Sequence, residues 1–480
     1  ANTAGDNNTA VGAYALNANT SGDRNVAIGY HAMYGPTVSD RNVAIGYNAY
    51  KAGSFNGDAH NVAIGYASAE ATTTGANNTS VGAYTHQLNT TGGNNTAIGY
   101  GCQAQMTTGT HNTTVGYNAG YDLTTASYNV LIGSNAGANL TTGANHVAIG
   151  HNALQACTTV STQVAIGFNA LYTNTTGYSN VAIGYQALYV CDTGYQNTAC
   201  GDSALDSLTS GDYNTAVGRY SGHGITTGNR NMSLGSYAIA GACTGDDNVG
   251  VGYEAAHLAT SGSKNIAVGG KSLRSITTGA NNTAIGYDAG HNISTGSNNV
   301  CVGYRAGQNQ VDTASERLYI GHELGGPGNA NLWVYGDSTG KCIQGNNSSS
   351  WSTTSDQRLK KNIVDNNVGL SAIEKLKVRN FEYRTEDEID RSQFDKISSD
   401  KFTKEESDAG DGPEGDYKVP LALGHTGTQI GIIAQELEEV LPDCVSTDER
   451  GIKSVDTDEI MWHMLNAIKE LSTKVKALES

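Results

Sequence analysis

The chain has 480 residues, of which 61 are glycine and only 5 phenylalanine, with 15% charged residues and a formal charge of −17. This make-up excludes an ordinary globular enzyme with a thick core and leaves a thin, aliphatic interior. The acidic balance excludes a phosphate-binding groove, since nucleic-acid affinity is carried mainly by Lys and Arg, so no nucleic acid is expected as partner. The 8 cysteines show no C-x-x-C pair and no histidine at zinc-ligand spacing. Reduced, scattered thiols are therefore expected, with no disulfide framework, no metal site and no cofactor. The 12 histidines form no cluster and read as scattered surface positions. No apolar run reaches the ~18 residues of a bilayer span and no signal peptide is read at Ala1, so no membrane insertion is expected.

From the N-terminal end the chain repeats every 17 residues, the glycine that closes NTAVG at Gly12 returning at Gly29, Gly46 and, after one step two residues longer, at Gly65, Gly82, Gly99 and on to Gly303. A degenerate copy, RLYIGH, places one more at Gly321. Three residues before the glycine stands Val, Thr, Ile or Met (Val26, Val43, Thr96), and one before it Ile, Val, Leu or Cys (Ile28, Ile45, Ile98), with a small residue between. The alternation predicts a short strand whose two branched columns face the interior. Ala recurs three residues past the glycine (Ala32, Ala119, Ala170), where a narrow coil has room for little more. A second glycine ten residues on (Gly75, Gly92, Gly143), usually after Thr-Thr, reads as the opposite corner. Asn stands four before the repeat glycine in nearly every copy, His146 and Gln163 being the clear exceptions. It is expected in left-handed geometry at a corner, with side chains laddered along the axis. The fold class expected is mainly β: a parallel β-solenoid shaft over 1–321, on the order of 85 Å long at the ~4.8 Å strand spacing.

So slender a coil buries little per residue and needs its flanks covered, which points to a homotrimer. NVAIGYNA at 42–49 and NTAIGYDA at 282–289 resemble the head repeats of trimeric autotransporter adhesins, which implies a left-handed parallel β-roll wound as a trimer, although the period here is longer. Tyr follows the repeat glycine at Tyr30, Tyr47, Tyr66, Tyr100, Tyr117, Tyr185, Tyr253, Tyr287 and Tyr304. This stripe reads either as a packing ladder or subunit contact, or as exposed rings that stack on sugars.

Past Gly321 the repeat decays through a turn-rich, β-containing connector, 322–354. Composition then turns globular: a helix is predicted over 369–378, a strand over 379–384, and strand, helix and a Pro-marked stop over 428–445. The acidic stretch 385–417 between them reads as a mobile loop or insertion. Within a terminal coiled coil at 458–480, Met461, Met464, Ile468, Leu471, Val475 and Leu478 are spaced 3, 4, 3, 4, 3 as a seam. By itself the seam favours two strands, because Ile468 and Val475 occupy a positions with Leu at d; the shaft points to three.

SDQRLKKNI at 355–363, GIIAQELEEVLPDCV at 431–445 and the terminal AIKELSTKVKALES together resemble the intramolecular chaperone of endosialidase tailspikes, the peptidase S74 family. The resemblance covers 355–480 and implies a small α+β trimeric folding module that releases itself by cleavage between Thr354 and Ser355. It assigns Ser355 as nucleophile and Lys360 as base, with Asp356 and Arg358 in supporting positions. The pairing is chemically sound, because a serine hydroxyl needs a base and a lysine serves as one once burial or a neighbouring cation lowers its pKa. A covalently adjacent scissile carbonyl supplies high effective concentration without substrate binding. Taken alone, SDQRLK reads equally as a helix cap or charged turn.

The function expected is a trimeric virion tail fibre or spike, extracellular on the virion after assembly in the host cytoplasm. It would touch other tail proteins and a host glycan or protein receptor, and act as a single-turnover self-cleaving serine endopeptidase. Two other readings stand: a cellular surface adhesin with the same chaperone, and a polysaccharide-degrading tailspike, which would need paired carboxylates that the repeats do not supply.

Overall fold

The computed structural model describes residues 3–53, 57–308, 313–322, 332–336, 338, 342–344, 368–382, 384, 388, 428–447 and 453–479. They fall into two compact units, Ala1–Ser352 and Thr353–Ser480.

The first unit is a parallel β-solenoid. Three-residue strands such as Val26–Ile28 and Val43–Ile45 pair in parallel with the strand of the next coil, Val26 beside Val43, Ala27 beside Ala44 and Ile28 beside Ile45. The register matches every repeat column to itself. It survives the long step, where Val43 pairs with Val62, because the extra residues form a side pairing of Ser39–Asp40 with Gly57–Asp58. Each repeat glycine lies where no side chain fits: Gly29 has φ +133°, and a Cβ there would stand 2.5 Å from the carbonyl oxygen of Gly46 in the next coil.

The strand faces the opposite way from the expectation. In each triplet after the first, Thr9–Val11, the middle residue is buried and the flanking residues are half-buried or exposed: Ala27 is fully buried while Ile28 is exposed, and Ala284 is fully buried while Ile285 is 45% exposed. The reason is room. The small middle residue fits inside a coil this narrow, and bulk is supplied by two columns that the repeat did not flag, four and seven residues past the glycine. Leu154, Leu171, Leu188 and Leu205 line the first, and Leu123, Leu140, Leu208, Ile225 and Ile276 the second, all fully buried. Each such leucine contributes roughly 2–3 kcal/mol by burial.

The asparagine column forms the expected ladder. Asn42 N–H donates to Asn25 Oδ1 (2.9 Å), and Asn61 N–H to Asn42 Oδ1 (3.0 Å), while Asn61 Nδ2 donates to the Gly75 carbonyl (2.8 Å). The backbone geometry differs from expectation: the left-handed residue is the one before each ladder asparagine, as at Arg24, Arg41 and Asn77. The amide side chain is thus used to satisfy buried backbone groups.

Histidine was misplaced as a surface residue, for His86 and His146 are both buried. His146 stands in the ladder, accepting from Gln163 N–H at Nδ1 (3.2 Å) and donating from Nε2 to the Val160 carbonyl (2.8 Å). Burial pushes each imidazole down to about 4. Among the described cysteines none is bonded, and burial pushes the Cys157 and Cys191 thiols up to about 12, which keeps them protonated. The C-terminal end of the stack closes where Leu318–Gly321 turns into an antiparallel pairing with Leu332–Gly336, itself paired with Cys342–Gln344. There Tyr319 and Tyr335 cover the last coil, and Arg317 Nη1 donates to Tyr335 Oη (3.0 Å).

The second unit is built from short pieces: helix α1 (Leu370–Ile373), a strand pair Arg379–Phe381 with Gln429–Gly431, helix α2 (Ala434–Glu438), a 3-10 turn Pro442–Cys444, a hairpin Val445–Thr447 with Lys453–Val455, and helix α3 (Thr457–Glu479). The predicted helix over 369–378 contracts to a single turn. Its N-cap residue, Gly369, has no side chain with which to cap it, and no basic residue stands in its last turn to offset the helix dipole.

Candidate functional site

Thr354, Ser355, Asp356, Arg358 and Lys360 lie outside the described residues, as does most of 385–417. What is described is the structure that receives the chain just after that motif. Val368 carbonyl accepts from Asn466 Nδ2 (3.4 Å), and Leu370 N–H donates to Glu470 Oε2 (3.0 Å). Asn466 and Glu470 are one turn apart on α3, so the segment following the motif is fastened to the middle of the terminal helix.

Helix α3 carries two apolar faces. Ile460, His463 and Ala467 are buried, Ile460 in a small core with Leu437, Leu441 and Cys444. Met461, Met464, Ile468, Leu471, Val475 and Leu478 form the other face and are all exposed, Ile468 at 60% and Leu478 at 87%. Exposed Trp462 and Leu465 widen it. Helix α3 thus keeps one apolar face for its own fold and presents a second, heptad-spaced face to solvent. Surface ion pairs lie on the unit behind it: Arg379 meets Glu436 with two bonds (2.6 and 3.0 Å), which holds the Glu436 carboxyl below its ordinary range, and Lys453 Nζ meets Glu438 Oε1 at 2.6 Å.

On the solenoid the strand phase leaves a second bare apolar face. Ile28, Ile98, Ile132, Ile183, Val217 and Ile285 are exposed on strands that share one sheet, and the Val or Thr column beside them is half-buried. Neither this face nor the inward leucine columns was legible in the alternation alone. The signal that would have found them is the near-constant Ala at the centre of the triplet, a residue kept small where space is short.

The tyrosine stripe is a ladder of rings. Tyr30, Tyr47 and Tyr66 stack at 5.3 and 5.1 Å, Tyr100 on Tyr117 at 5.4 Å, and Phe168 on Tyr185 at 5.2 Å, each pair within 14° of parallel. Many of these rings stay exposed along one edge, so stacking between coils leaves part of each ring open.

Residues 355–397 match the family model described as the chaperone of endosialidase, peptidase S74. Comparisons with curated proteins and with solved structures return no match.

Proposed function

We propose that this chain, which carries a chaperone-of-endosialidase domain behind a β-solenoid shaft, is a trimeric virion tail fibre or spike that attaches to a host surface. The observation that carries the reading is the outward Val/Ile strand face. It runs from coil to coil along the shaft, half-buried or exposed at each step and left uncovered by the described residues, and so long an apolar strip invites pairing with wrong partners. Three shafts side by side would bury it.

The exposed seam of α3 adds a second self-pairing surface in the other unit; its a and d residues by themselves favour two strands, so the number three rests on the shaft, and the seam gives the assembly an order. Registering three long parallel coils is slow and error-prone, because an unpaired strand edge accepts any similar edge. A short helical bundle forms fast from local contacts, and would align the three chains before the shafts zip.

Cleavage follows the family resemblance. Ser355 Oγ attacks the Thr354 carbonyl while the Lys360 amine takes its proton; the C–N bond breaks as the Ser355 nitrogen is protonated, and water hydrolyses the resulting ester. Loss of the nucleus would leave a shaft that is stable because it unfolds slowly. Intact-mass spectrometry of the purified protein beside Ser355→Ala tests the cut: the wild type should give a shaft ending at Thr354 and a piece beginning at Ser355, and the variant should stay whole. Sedimentation velocity on the same samples should give a trimer, and a folded monomer in dilute solution would remove the basis of the reading.

A further inference from the structure

One coil differs from both its neighbours at two positions. Two and five residues past the repeat glycine, the coil of Gly82 carries Tyr84 and Gln87, and the coil of Gly116 carries Asn118 and Tyr121. The coil between them has Gly101 and Ala104. The missing side chains leave a notch of about 370 Å³, with Gly101 and Ala104 as floor, the two flanking pairs as walls, and the stacked rings of Tyr100 and Tyr117 also lining it.

The interior under this notch is also exceptional. The leucine-filled core is interrupted between Ala69 and Met106, and a polar chain takes its place. Ser80 Oγ meets His86 Nδ1 (2.6 Å), His86 Nε2 meets Gln103 Oε1 (2.9 Å), and Gln103 Nε2 donates to Thr114 Oγ1 (2.9 Å). Such a network holds its coils in one arrangement at the cost of hydrophobic burial, a departure typical of places selected for something besides stability. In one wall of the notch, Asn118 Oδ1 is buried with no hydrogen-bond partner, so close to Gly101 that a Cβ there would stand 2.5 Å from it. An unpaired acceptor of that kind calls for a donor.

We propose that this notch is the binding site for one or two pyranose rings of a neutral surface glycan, an assignment that rests on the attachment role above and gives it a place. Four tyrosines offer faces and hydroxyls, Gln87 and Asn118 offer amides, and the floor is small enough for a ring to lie flat. No lining residue is charged, and nothing there would hold the carboxylate of an acidic sugar. The volume is near the lower end of the ~300–1,000 Å³ range of ligand pockets, which suits a mono- or disaccharide unit better than a folded partner.

Saturation-transfer NMR on the purified full chain, with cellobiose, lactose, mannobiose and sialyllactose as probes, tests the assignment. At least one neutral disaccharide should receive saturation on its ring protons, with sialyllactose no stronger. Gly101→Asn is the decisive variant, because Asn already occupies this column at Asn118, Asn135, Asn152 and Asn169 with φ between 52° and 56°, so it fits the backbone and fills the notch. It should weaken binding at least tenfold, as should Tyr121→Ala, while Tyr304→Ala, outside the notch, should bind as the wild type does. Transfer that survives Gly101→Asn overturns the site. So does a trimeric wild type that adheres to bacterial cells yet gives no transfer from any neutral probe; the attachment role would then stand and the notch would not. Loss of trimer in Gly101→Asn with no sugar binding in the wild type would make this surface a subunit contact instead.

Discussion

The two units solve the problem of a small core in opposite ways. The solenoid multiplies one coil, so that each backbone group, each asparagine and each leucine finds its own copy one turn away, and stability accumulates along the axis. The C-terminal unit repeats nothing: its core is Leu437, Leu441, Cys444 and Ile460 with a few half-buried neighbours, and its longest element leaves its heptad face bare. A chain that stacks on itself can be long and still lack a starting point. In the assembly proposed above the division of labour would be that the shaft extends and the short helical face of α3, quick to pair, starts it.

The largest expected effect comes from breaking that division of labour. Ile468→Asp buries a charge in the seam of any assembled bundle and should abolish the trimer, read by sedimentation velocity as monomer or aggregate; a normal trimer would show that the shaft finds its register unaided. Acidification should come next and strike the shaft. His86 and His146 are held at about 4 against 6.5, so the unfolded chain takes up protons that the fold refuses. Stability is then complete above pH 6.5 and falls as pH drops from 6.5 to 4, by about 3 kcal/mol per histidine. Urea midpoints at pH 7.5 and 4.5 measure the loss, and His146→Asn, which restores the ladder residue, should flatten the slope. The smallest effect belongs to Arg379→Ala in the C-terminal unit. Its paired carboxylate, Glu436, lies at the surface, so the urea midpoint should stay within error although two bonds are lost.

Much of the shaft was legible as a sequence. A column of Gly kept over eighteen copies, preceded at fixed distance by Asn in all but the two that carry His146 and Gln163, favours coils in register, because a slip would set Cβ atoms against the carbonyls that Gly29 and its equivalents leave clear. Of the three C-terminal blocks that carry the family resemblance, SDQRLKKNI at 355–363 falls within the residues that match the family model, 355–397. Less legible was everything set by the width of the coil. Alternation shows that Val, Ala and Ile occupy two faces, and is silent on which face is inside.

The sequence by itself determined the period, the parallel register, the asparagine ladder and the heptad seam, since each depends on a residue meeting its own copy at a constant interval. Only the tertiary structure decided that alanine points inward, that His146 is buried and bonded as a rung of the ladder, and that Gly101 and Ala104 open a notch between two tyrosine-bearing coils. Those outcomes depend on how much space one turn encloses and on which side chains become neighbours across it, and neither quantity is written in any single repeat.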